Sequence, residues 1–149
     1  MKNNKKKLIT GIGAALIAAV AFITIHHFHS GHSHGDVSGE MTLNNGEKWK
    51  ADISTKNLIS AMTLFVKGFS QKEKITTAEY NDAGESLRGS FNEIFAKCTM
   101  EGPAHDELHK YLMKLSPQIE KLQKGNSENL ADTLQEILNT LLMFNQYFS

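Results

Sequence analysis

The single cysteine of this chain, Cys98, opens the segment Cys98-Thr99-Met100-Glu101-Gly102-Pro103-Ala104-His105-Asp106-Glu107-Leu108-His109. Two sulfur side chains and two imidazoles thus fall within twelve residues, around a Gly-Pro turn. Thiolate, thioether and imidazole are the donors that soft and borderline metal ions prefer. His105 and His109 are spaced His-x-x-x-His, which puts both rings on one helical face, a common two-point metal arrangement. The sequence therefore predicts a metal site with Cys98 as thiolate ligand, His105 and His109 as imidazole ligands and Met100 as a weak fourth donor. Copper and zinc both suit this set. Asp106 and Glu107 favour the start of a helix by their charge, and a hydrogen bond from either to an imidazole is the alternative.

The other five of the seven histidines lie in a second cluster, His26, His27, His29, His32 and His34. This tract is rich in Gly and Ser and reads as a flexible linker with weak, pH-dependent metal affinity, because the rings must be neutral to ligate. A plain spacer is the alternative.

The elements that must position the first cluster are helices. One pattern runs from about Ser54 to Phe69, with Leu58, Ile59, Met62, Phe65, Val66 and Phe69 on one face. A second runs from about Thr76 to Cys98, with Thr76 and Thr77 as candidate caps and Tyr80, Ala83, Leu87, Phe91, Ile94 and Cys98 as its stripe. A third begins at Pro103, a good first-turn residue, and reaches Lys124. Its Leu108, Leu112, Leu115, Ile119 and Leu122 repeat at 4-3-4-3 spacing, the seam of a bundle. Pro117 is expected to kink or split it near Ser116. Gly125 ends the third helix and Ser127 is expected to cap the fourth, which runs to about Tyr147. On the third helix His105 falls roughly 50° and His109 roughly 90° from the seam centre. Asn45-Gly46 signals a tight turn in a lead-in segment before the helices. Short connections make neighbours antiparallel, so the fold expected for residues 41–149 is an all-α, up-down-up-down four-helix bundle. That topology brings the turn between the second and third helices to the same end as the start of the first and the close of the fourth, with Trp49 and the C-terminal aromatics nearby.

Before the bundle, residues 1–25 read as a membrane anchor or a signal segment. Leu8 to Ile25 are uncharged throughout. As a helix they would span roughly 27 Å, close to the ~30 Å of a bilayer core. Lys2, Lys5, Lys6 and Lys7 precede them and would stay on the cytoplasmic side. The expectation is an inner-membrane anchor with the domain in the periplasm; cleavage near Ala21, releasing the domain there, is the alternative. Residues 26–40 form the linker. In an oxidising compartment a lone thiol must be buried, metal-bound or bonded to another chain.

Formal net charge is zero, but without the four N-terminal lysines 12 basic residues face 16 acidic ones, a net of −4. An acidic domain with no basic stripe argues against a nucleic-acid partner. There is no phosphate-binding glycine loop, no Cys-x-x-Cys-His and no Gly-x-Ser-x-Gly. No catalytic residue is assigned, and an enzyme is not expected.

The segments Leu43-Asn44-Asn45-Gly46-Glu47-Lys48-Trp49 and Cys98 through His109 resemble those of a group of small exported bacterial helical proteins, mostly of unknown function. The resemblance covers about residues 41–149. It implies that these segments belong to one unit, and it carries no activity. The reading is then an envelope protein that binds copper or zinc for buffering, delivery or sensing. Its rivals are a protein-interaction module of the envelope with Cys98 buried, and a non-covalent haem binder using His105 or Met100.

Overall fold

The structure is a computed structural model, and it describes residues 39–126 and 128–149. The segment 1–25, read as anchor or signal, and the histidine tract of the linker lie outside the described residues. Among the described residues no helix is long and apolar enough to cross a membrane.

Four helices follow one another: α1 (Ile53–Phe69), α2 (Thr77–Lys97), α3 (Gly102–Lys124) and α4 (Leu130–Tyr147). Each packs against its sequence neighbours, and α4 closes the square against α1. Ser54 at the start of α1 meets the Lys97 carbonyl at the end of α2, and Phe69 at the end of α1 meets Tyr80 near the start of α2. The same reversed pairing recurs between α2 and α3, where Arg88 reaches Ser116 and Gln123 while Phe95 meets His109. The bundle is therefore up-down-up-down, as the short connections require.

The leucine seam of α3 forms the centre of the core. Leu115, Ile119 and Leu122 are fully buried, with Val66, Ile94, Ile137 and Leu141 reaching them from the other three helices. Gly84 marks the closest approach of α2 to α3. A Cβ there would lie 2.7 Å from the backbone nitrogen of Gln123, so only glycine lets the two backbones meet. Thr76 caps α2 in a reciprocal capping box with Glu79.

Three expectations change. Pro117 neither splits α3 nor ends it; the helix is continuous from Gly102 to Lys124. Pro117 lacks the N–H that would bond the Met113 carbonyl, and Met113 is 62 % exposed. Buried Leu115 and Ile119 flank the proline, and the Arg88 guanidinium clamps the Ser116 carbonyl and hydroxyl at 2.9 and 3.1 Å. Phe65, expected in the core stripe of α1, is 40 % exposed. The N-cap of α4 is Asn129, in the left-handed conformation (φ 70°) and without a side-chain cap; Ser127, expected there, lies outside the described residues.

The lead-in segment makes the tight turn expected at Asn45-Gly46. Both residues have positive φ (53° and 91°), and Asn44 and Glu47 exchange two backbone hydrogen bonds across them. Beyond the turn, Trp49 pairs with the C-terminal strand-like tail: its N–H donates to the Tyr147 carbonyl at 2.8 Å, and its carbonyl accepts from Ser149 at 2.9 Å.

Candidate metal site

The start of α3 carries the two imidazoles. Gly102 and Pro103 open the helix, and the chain rises through Ala104 to His105, one turn below His109. Both histidines are half-buried. Their Nε2 atoms lie 3.1 Å apart, with ring centroids separated by 4.4 Å. At this distance one ring nitrogen can donate to the other, in roles that depend on the tautomer. Phe95 of α2 meets His109 edge-on, with centroids 5.7 Å apart and ring planes at 84°. Phe91 supports Phe95 from one turn earlier, with centroids 5.3 Å apart. The aromatic pair on α2 thus forms a wall against one of the two rings. Phe95 itself is 50 % exposed, so the site opens to solvent.

The sulfur residues take another place. α2 ends at Lys97, and Cys98 is its C-cap, in extended conformation (ψ 127°), with its N–H on the Ile94 carbonyl at 2.8 Å. Cys98 and Met100 are both partly buried and packed against the hydrophobic core. Among the described residues no three His, Cys, Asp or Glu side chains form a group able to hold a metal ion. The structure thus joins His105 to His109 and sets the cysteine among apolar neighbours.

Glu107 bonds to the lead-in segment and to its own helix. Its carboxylate is buried and accepts from the Thr42 N–H (2.9 Å), the Thr42 hydroxyl (3.0 Å) and Lys110 Nζ (2.8 Å). Burial pushes its pKa up, but these bonds outweigh burial and hold it below the ordinary carboxylate value. Thr42 is fixed in turn, its carbonyl accepting from Trp49 Nε1 at 2.7 Å. Glu107 is therefore a clamp that ties the lead-in segment to the first turns of α3. Its i,i+3 spacing to Lys110 was visible in the sequence, whereas its partner Thr42, 65 residues away, was not.

Asp52 does the matching work for α1 and the α2–α3 turn. Its Oδ1 accepts from the Thr55 N–H at 2.6 Å, capping α1, and its Oδ2 accepts from the Thr99 N–H at 2.7 Å. Burial opposes its charge, yet the hydrogen bonds from Thr55, Thr99 and Ser54 prevail and depress its pKa strongly. One carboxylate thus fixes the position of the turn that leads into the histidine helix. Above the site the core is aromatic. Tyr111 packs edge-on against Phe144 and Phe148, which stack on each other at 4.7 Å.

No family model matches this chain, and no curated protein or solved structure is significantly similar to it.

Proposed function

We propose that this chain is an envelope protein that binds copper or zinc and acts in buffering, delivery or sensing of the ion rather than in catalysis. The observation that carries the reading is the 3.1 Å separation of the two Nε2 atoms on consecutive turns of α3. Two neutral imidazoles at that spacing form a chelate that needs no rearrangement of the backbone. The surrounding construction supports it. Two carboxylates, Asp52 and Glu107, fix the turn before α3 and the first turns of the helix itself, and Phe95 braces His109. An ordered scaffold around a half-exposed donor pair suits reversible capture of an ion. The envelope location rests on the uncharged segment Leu8–Ile25 and its lysine flank.

The test is a competition titration of the full-length chain with Zn²⁺ and Cu²⁺. The five tract histidines (His26, His27, His29, His32, His34) are replaced by alanine so that only the bundle is read. The expected result is one ion per chain. His105→Ala then weakens binding by roughly tenfold or more, the loss that removing even an outer partner of a ligand brings. No stoichiometric ion, or equal affinity in the variant, refutes the reading. An interaction module is the second reading, favoured by the core packing of Cys98 and Met100 and by Leu64, which stands 71 % exposed on the outer face of α1.

A further inference from the structure

Resting on the reading of His105 and His109 as metal ligands, we infer that the pair takes a divalent cation in adjacent, cis coordination positions, with further positions open for exchange, and that it discriminates against Cu⁺. With metal–nitrogen bonds of about 2.0–2.1 Å, two nitrogens 3.1 Å apart subtend an angle of about 100° at the ion. That angle fits neighbouring positions of a tetrahedral, square-planar or octahedral ion, which are the geometries of Zn²⁺ and Cu²⁺. Cu⁺ held by two imidazoles alone is linear, which sets its nitrogens about 4 Å apart on opposite sides of the metal at the same bond length. Both rings rise from one helix on successive turns, where Cβ atoms stand about 5–6 Å apart and the side chains lean in the same direction. They cannot face each other across an ion without swinging apart, and Phe95 packs edge-on against the His109 ring.

The placement of the sulfur atoms points the same way. Cu⁺ is drawn to thiolate and thioether donors, and here Cys98 and Met100 pack against the core. The two imidazoles remain, half-buried and open to solvent beside the exposed Phe95. Among the described residues two protein donors meet here, and an ion on them takes its remaining positions from water or another donor. Structural sites close all four positions, whereas open sites exchange. The pair is thus built to pass a divalent ion on by ligand exchange rather than to store it.

The experiment uses the full-length chain with the five tract histidines replaced by alanine. Affinities for Zn²⁺, Cu²⁺ and Cu⁺ are measured by chelator competition, the last under anaerobic reducing conditions. The variants are His105→Ala, His105→Gln, His109→Ala and Cys98→Ser, each checked for helicity by circular dichroism. The expected result is that each histidine variant weakens Zn²⁺ and Cu²⁺ by roughly tenfold or more, with Cu⁺ affinity unchanged by any histidine variant and the divalent affinities unchanged by Cys98→Ser. Electron paramagnetic resonance of the Cu²⁺ form should show two equatorial nitrogens in the parent and one in either His105 variant. If the histidine variants cost Cu⁺ affinity as much as Zn²⁺, or if Cys98→Ser lowers the affinity for Zn²⁺, the inference fails while metal binding stands. If no ion binds, or no histidine variant alters binding of any ion, the metal-site reading falls with it. The glutamine variant keeps the volume and polarity of the ring position, so a loss shared by both His105 variants is a ligand effect rather than a packing effect.

Discussion

The two ends of the bundle are joined in different ways. At the end that holds His105 and His109, hydrogen bonds reach across the chain: Thr42 to Glu107 over 65 residues and Thr99 to Asp52 over 47, with Trp49 bonded to the C-terminal tail. At the opposite end most polar contacts are local, apart from Arg88 of α2, which bonds Gln123 and Ser116 of α3. Thr76 and Glu79 cap their own helix, Lys72 reaches Glu79 seven residues on, and Lys124 pairs with Glu120 within one turn. Local contacts stabilise single helices, whereas long-range contacts fix helices relative to one another. The end with the imidazoles is the end whose geometry is over-determined, as a preformed chelate requires.

Mutations at the two ends should therefore differ in size. The largest effect is expected from Glu107→Ala, which removes a buried carboxylate and the three hydrogen bonds it accepts from Lys110 and the exposed Thr42. A loss of about 1–3 kcal/mol is expected. Urea unfolding gives the magnitude, and hydrogen exchange should show the Met41–Trp49 segment released. A loss below about 1 kcal/mol would mean that the clamp is incidental. Thr76→Ala at the opposite end should cost only about 1 kcal/mol, the usual value of an N-cap, and should leave exchange at Met41–Trp49 unchanged. If the two losses were equal, the contrast between the ends would disappear.

Acid should weaken both ends, because Glu79 and Glu120 at the opposite end also have lowered pKa values. Asp52 and Glu107 have folded pKa values below their ordinary 3.8 and 4.5. Folding therefore favours their charged forms, and that stability is complete above about pH 5 and lost as pH falls through and below these values. Asp52→Asn and Glu107→Gln should each flatten the decline of stability between roughly pH 5 and pH 2. A decline as steep in the double variant as in the parent would place the acid sensitivity elsewhere. A smaller effect of opposite sign is expected at Tyr111. Its side chain is fully buried, its hydroxyl has no hydrogen-bond partner among the described residues, and burial raises its pKa. Tyr111→Phe should stabilise the bundle by about 1 kcal/mol. Destabilisation on thermal unfolding would show that the hydroxyl is satisfied after all.

What was legible in the sequence was local and periodic. The 4-3-4-3 leucines of α3, the cap at Thr76, the Asn45-Gly46 turn and the convergence of His105 and His109 all follow from spacing within one element. What was not legible depends on where a chain that has left its helix goes next. Treating Cys98 as part of the α2 stripe carried helical geometry to a residue whose backbone is extended, and its sulfur could not be aimed from that wheel. The partners of Glu107 and Asp52 were hidden for a similar reason. Thr42 and Thr99 lie in irregular segments, where no period relates a side chain to its target. The split expected at Pro117 does not occur, because buried Leu115 and Ile119 on either side hold α3 to the core.

The account turns on two rings of one helix acting as a pair. Long-range ¹H–¹⁵N spectra of the imidazoles, recorded while the tract-substituted full-length chain is titrated with Zn²⁺, test this directly. The account predicts that the Nε2 resonances of His105 and His109 move together to values of metal-bound nitrogen and saturate at one equivalent. Movement of one ring without the other, or saturation with neither ring affected, would contradict it.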